Sequence, residues 1–224
     1  EAVVERSGIF NIGLEGMMLL GAFSAVAGSV LFGSALYGAL FAVVSTALVG
    51  GIYAIAVVYS RADQIVVGIG FNLMALGVTS MLRRRFFTSE IVVPDVDLLS
   101  AFPIPGLSEL PIVGPIFFDQ SPLVYVGFLL IPATSFLLFR TRFGLLVRAA
   151  GDGALSADSH GVPVLRIRLY GLLFGGALAG LAGAILSLTQ TDGIFVDNMT
   201  GGRGYLAIAL AIFCSWMPVR IAVG

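Results

Sequence analysis

Long apolar runs separated by short polar breaks set the pattern of this chain. The runs lie at about Met17 to Phe32, Leu36 to Tyr59, Ile65 to Leu82, Pro122 to Phe139, Leu169 to Leu188, and Tyr205 to the C-terminus. Each approaches the roughly 20 apolar residues that cross a hydrocarbon core of about 30 Å. Backbone amides in lipid must be satisfied within their own segment, so each run is predicted to be a helix. A membrane β-barrel would show segments of about ten residues alternating in polarity, and these runs do not alternate. The expected fold is all-α: a polytopic transmembrane helical bundle formed by residues 1–224 as one domain.

The breaks carry the charge. The longest polar insert is Arg140 to Arg168, RTRFGLLVRAAGDGALSADSHGVPVLRIR, with five Arg against Asp152 and Asp158. All twelve basic residues are Arg. Arg61 and the 140–168 insert are expected on the cytoplasmic side, because short cytoplasmic loops are enriched in basic residues. Residues 86–121 then form an external loop, without Lys or Arg but with Glu90, Asp95, Asp97, Glu109 and Asp119 among several prolines. Arg83, Arg84 and Arg85 point the other way, since they fall at the outer membrane edge in this orientation.

Composition agrees with the pattern. The chain is 58% hydrophobic and 11% charged, with a mean hydropathy of +1.03, whereas soluble domains carry about 25% charged residues. It opens on Glu1 and stops at Gly224 in an apolar run, so it is expected to be a fragment of a longer protein. No signal-peptide pattern is visible.

Within the insert, Gly151 and Gly161 bracket Ala154 to His160, a stretch with helix-forming content. Asp152 is placed to cap the first amides of that helix. The insert resembles the cytoplasmic coupling loop of ABC-transporter permeases of the branched-chain amino acid, simple sugar and nucleoside import class. Arg148, Ala149, Gly151, Ala157, Asp158 and Gly161 match the family pattern, Asp152 stands where it has Glu, and Gly153 and Ala154 replace its Asn-Pro. The resemblance implies a short coupling helix seated in a groove of an ATPase. Arg148, Gly151, Asp152, Ala157, Asp158 and Gly161 are the residues it assigns to coupling.

Ser7 to Phe23, SGIFNIGLEGMMLLGAF, resembles the motif of the nucleoside-importing branch, as does ADQIVVGIGFNLMALGVTS around Asn72. Thr189 to Gly204 resembles the family's outer loop. Asn11, Glu15 and Asn72 bring polar groups to predicted membrane depth, where an ionisable residue is expensive and marks a candidate functional site. They are the candidate substrate path, with helix capping by Glu15 and interhelical bonding by Asn72 as the alternatives. Gly171/Gly175, Gly176/Gly180 and Ala179/Gly183 repeat at the four-residue spacing that lets helices approach closely.

The resemblance implies a permease subunit that moves nucleosides, or alternatively ribose-like sugars or branched-chain amino acids, across a bacterial inner membrane. Its implied partners are a separate ATPase that binds the ATP, a second permease subunit (the same or different), an extracytoplasmic substrate-binding protein and the lipid bilayer. No nucleic-acid partner, cofactor, metal or enzymatic activity is expected. Cys214 and His160 are each the sole residue of their type, which leaves no cysteine framework or metal cluster. No phosphate-binding glycine loop or nucleophile elbow is present. An ion-coupled secondary transporter shares the helical pattern but has no need of the coupling-like insert, and a purely structural membrane protein has no need of Glu15 and Asn72 at depth.

Overall fold

A computed structural model describes residues 1–86, 102–103, 118–191 and 193–223. Five helices among them are long and apolar enough to cross a membrane. These are α2 (Leu14–Phe32), α3 (Ala35–Ala54, extended by a π-helical turn Ile55–Tyr59), α4 (Gln64–Phe86), α5 (Pro122–Arg140) and α8 (Val164–Ile185, extended by a π-helical turn Leu186–Gln190). In chain order the other helices are α1 (Ala2–Glu5), α6 (Arg142–Asp152), α7 (Ala154–Ser159), α9 (Arg203–Phe213) and α10 (Pro218–Val223). One antiparallel bridge pairs β1 (Phe102–Pro103) with β2 (Asp119–Gln120). The expected external loop at 86–121 otherwise lies outside the described residues.

The centre of the bundle is α2, α3 and α8, and glycine explains their closeness. A Cβ added at Gly21 would lie 2.6 Å from Gly180 Cα; one at Gly50 or Gly176 would lie 2.5 Å from the carbonyl oxygen of Leu172 or Thr46. No hydrophobic driving force acts between helices in lipid, so this backbone-to-backbone contact supplies the packing energy. Gly33, in left-handed conformation at φ +65°, ends α2 and allows the two-residue turn into α3.

Two departures from the sequence reading concern helix ends. The run expected from Tyr205 onward is not one helix: α9 stops at Phe213, and Ser215 and Trp216 both take left-handed backbone conformations (φ +54° and +58°) before α10. Within the 140–168 insert, α6 is an additional helix with Gly144, Val147 and Ala150 buried. Thr141 caps it, its Oγ1 accepting from Gly144 N at 3.1 Å. Asp152 is therefore the last residue of α6 rather than the cap of α7; Gly153 holds that place and offers no side-chain cap.

Candidate functional site

At one end of the bundle the insert folds back on the helices. Val3, Leu138, Val147, Ala150, Ala157, Val164 and Ile167 form a buried cluster joining α1, α5, α6, α7 and α8. Ala157 faces this cluster with Ala154 packed beside it, which turns the remaining side chains of α7 outward. Leu155 is 90% exposed there, and Ser156, Asp158, Ser159 and His160 are exposed beside it. Gly161, at φ +81°, reverses the chain, with its amide donating to Asp158 O at 2.9 Å. Arg148 is held internally, Nε on Gly144 O at 3.4 Å and the guanidinium 5.5 Å from the Phe139 ring centre. Gly151 lies against the Arg6 carbonyl oxygen, where a Cβ would overlap. Asp152 pairs with Arg6 at 3.9 Å. The sequence assigned coupling residues but did not single out Leu155, whose signal is an apolar residue on the polar face of a short helix.

The intramembrane candidates converge on the start of α2. Asn72 lies eight positions, or about 12 Å of helical rise, into α4 from Gln64. Its Oδ1 accepts from Gly16 N at 2.8 Å, while Nδ2 donates to Ile12 O at 2.9 Å and to the Tyr205 hydroxyl oxygen at 2.8 Å. Glu15 is buried and accepts from Thr200 Oγ1 (2.6 Å), Gly202 N (2.8 Å) and Gly204 N (2.7 Å). Those amides open α9, so a carboxylate there is favoured by unpaired N–H groups and by the helix dipole. Asn11 is fully enclosed, with Nδ2 3.6 Å from Met17 Sδ and Oδ1 without a partner.

Glu15 and Asn72 thus both join α2 to its neighbours. Tyr205, whose hydroxyl oxygen accepts from Asn72, is 47% exposed. An apolar cavity of about 290 Å³ between α1, α5, α8, α9 and α10, lined in part by Thr134, Phe174, Leu178 and Ala207, is lined by none of Asn11, Glu15 and Asn72.

At the opposite end, Arg83 is answered by Asp197: Nη2 and Nε donate to its two oxygens at 2.7 and 2.9 Å, and Ser80 adds a third bond at 3.1 Å. The Arg83 guanidinium and its hydrogen bonds hold the Asp197 carboxyl below the usual aspartate range, with Arg84 adding to the effect. This ion pair accounts for part of the basic cluster that ran against the expected orientation.

Five apolar helices and a structured polar insert define a multi-pass membrane component. Residues 1–224 match the family described as branched-chain amino acid transport system / permease component, and the chain belongs to that family. It is similar to the nucleoside ABC transporter permease protein NupC of Lactococcus lactis, 37% identical over 96% of this chain and 69% of the relative. The guanosine ABC transporter permease protein NupQ of Bacillus subtilis is 35% identical with the same coverage. The putative glucose ABC transporter permease protein TsgC13 of Haloferax volcanii is 34% identical over 100% of this chain and 68% of its own length. No solved structure matches. The chain is an ABC-transporter permease subunit, a role that implies a separate ATPase and a substrate-binding protein.

Proposed function

We propose that this permease imports nucleosides, as one of two permease subunits in the inner membrane of a bacterial cell, with the 140–168 insert facing the cytoplasm. The observation that carries the substrate class is the 35–37% identity to two nucleoside permeases across 96% of the chain. The groups that meet Asn72 and Glu15 are backbone amides and the hydroxyls of Tyr205 and Thr200, a polar but uncharged set in keeping with a neutral polar cargo. Orientation is supported by Arg6 lying at the same end as the insert, together with the pairing of Arg83 at the other. In this role α7 presents Leu155 to a groove of the ATPase, and ATP stays on that subunit.

Glucose is the second substrate class, favoured by 34% identity to TsgC13 over 100% of this chain and 68% of TsgC13. Labelled guanosine and labelled glucose, each offered to proteoliposomes containing the assembled transporter and ATP, separate the two. ATP-dependent guanosine uptake that excess glucose leaves unchanged is the expected result. Glucose uptake without guanosine uptake overturns the nucleoside assignment.

A further inference from the structure

Residues 5–16 lie outside the insert yet touch both the insert and the buried helix start. At the insert end, the Arg6 carbonyl lies on Gly151 and the Arg6 side chain pairs with Asp152. Arg168 Nε donates to Ser7 O at 3.1 Å, and Gly8 (φ +83°) fits where a Cβ would meet Arg168 Nη2 at 3.1 Å and Gly151 Cα at 3.3 Å. At the far end, Ile12 and Gly16 are fixed by Asn72, and Glu15 holds the first amides of α9.

The same segment also reaches the other end of α9. Buried Glu5 accepts the indole N–H of Trp216, and the Arg6 guanidinium lies 5.2 Å from the Trp216 ring centre. Trp216 sits in the turn where two successive non-glycine residues are left-handed. Such backbone costs energy and persists only where its surroundings hold it. The amides of Ser215 and Trp216 donate back to Ile212 O and Ala211 O at 3.0 and 2.8 Å, and Glu5 and Arg6 hold the Trp216 side chain above this turn.

We infer that residues 5–16 are the link that carries movement of the α6–α7 insert to α9, and that Glu5 and Trp216 are positioning residues for coupling. Displacement of Gly151 and Asp152 moves Arg6; through Trp216 it then moves the C-terminal end of α9. The opposite end, with Tyr205 against Asn72, shifts at membrane depth. In this coupling the strained turn at 215–216 is the element whose backbone would rearrange. Glutamine has the same length and keeps a side-chain oxygen that accepts the Trp216 indole N–H, so Glu5→Gln preserves the latch.

This inference rests on the ABC-import role above, and its test separates the two. In the reconstituted transporter, ATP hydrolysed and labelled guanosine or glucose imported are measured together. Trp216→Phe keeps the ring under Arg6 and removes the donor. It is expected to raise the ATP consumed per substrate imported by at least about fivefold, the lower end of typical coupling effects. Glu5→Leu is expected to do the same, while Glu5→Gln keeps the wild-type ratio. A wild-type ratio in Trp216→Phe, or a parallel fall of both activities, overturns the inference.

Hydrogen exchange on the wild-type complex, with the ATPase trapped by a nucleotide analogue, needs no variant to fold and no particular substrate. Residues 5–16 and 203–217 should change protection together with 142–160. Change confined to 142–160 also overturns the inference. A wild-type transporter importing neither probe overturns the nucleoside and glucose assignments instead, and the exchange measurement still decides the link.

Discussion

Glu5 and Glu15, ten positions apart in the chain, hold opposite ends of α9. Glu15 receives the amides of Gly202 and Gly204 where that helix begins, and Glu5 receives the indole N–H of Trp216 just after it ends. The two carboxyl groups have different surroundings: one sits at a helix N-terminus with three donors, while the other is raised by burial beyond a C-terminus. A helix too short to span the bilayer is thereby fixed at both ends.

Removing the first of these anchors leaves three donors facing an apolar interior. Glu15→Ala is expected to cost on the order of 3 kcal/mol or more, since each unsatisfied buried donor costs roughly 1–3 kcal/mol. A thermal unfolding scan in detergent should show a clear fall in Tm. An unchanged Tm would mean that water or lipid headgroups satisfy these amides.

Glycine substitution should separate packed from open helix faces. At Gly180 a side chain meets Thr46 and the backbone of α3, whereas at Gly70 and Gly77 nothing lies within 4 Å. Gly180→Leu is therefore expected to abolish the folded, monodisperse species in size-exclusion chromatography. Gly70→Leu should elute as wild type.

The Arg83–Asp197 pair predicts a pH dependence with a definite sign. Asp197 has a depressed folded-state pKa, so it contributes stability above the unfolded aspartate value of about 3.9. That contribution is lost as pH falls through the lower folded value. The Tm difference between wild type and Asp197→Asn should be present at pH 7 and vanish under strong acid. Because the pair is partly solvated, the difference should be small and should shrink with added salt.

The side of the membrane can be tested at Ser156, which is exposed on α7. With Cys214 replaced by Ser, a Ser156→Cys variant should react with a membrane-impermeant maleimide only when the cytoplasmic face is open to it. Labelling of intact cells from outside would invert the orientation.

The five spanning helices were legible because uninterrupted apolar length is a local property, and the structure moves their ends by only a few residues. The reversal at Gly161 was legible for a similar reason, since its φ of +81° suits glycine. The helix α6 was not: its apolar face, Gly144, Val147 and Ala150, is interspersed with Arg142 and Arg148. That mixture obscured a periodicity whose meaning depends on the cluster it covers, and the hidden helix moved Asp152 from a cap to a C-terminus. Glu15 and Asn72 were visible as polar residues at depth, but their partners lie up to 189 positions away. Trp216 carried no local signal at all, because its role depends on Glu5 and Arg6 reaching it across the fold.

Leu155 offers the most direct measurement. It projects from α7 beside a face held by Ala157, so altering it leaves the internal contacts of Gly151 and Arg148 untouched. Burying a leucine contributes about 1.5–3 kcal/mol, and a carboxylate there adds a desolvation cost. Leu155→Asp should therefore weaken binding of the ATPase subunit by about tenfold or more, measured by titrating labelled ATPase onto the permease in nanodiscs. Membrane insertion and Tm should stay at wild-type values. Unchanged ATPase affinity in a folded Leu155→Asp permease would contradict the assignment of this insert as the seat of the ATPase.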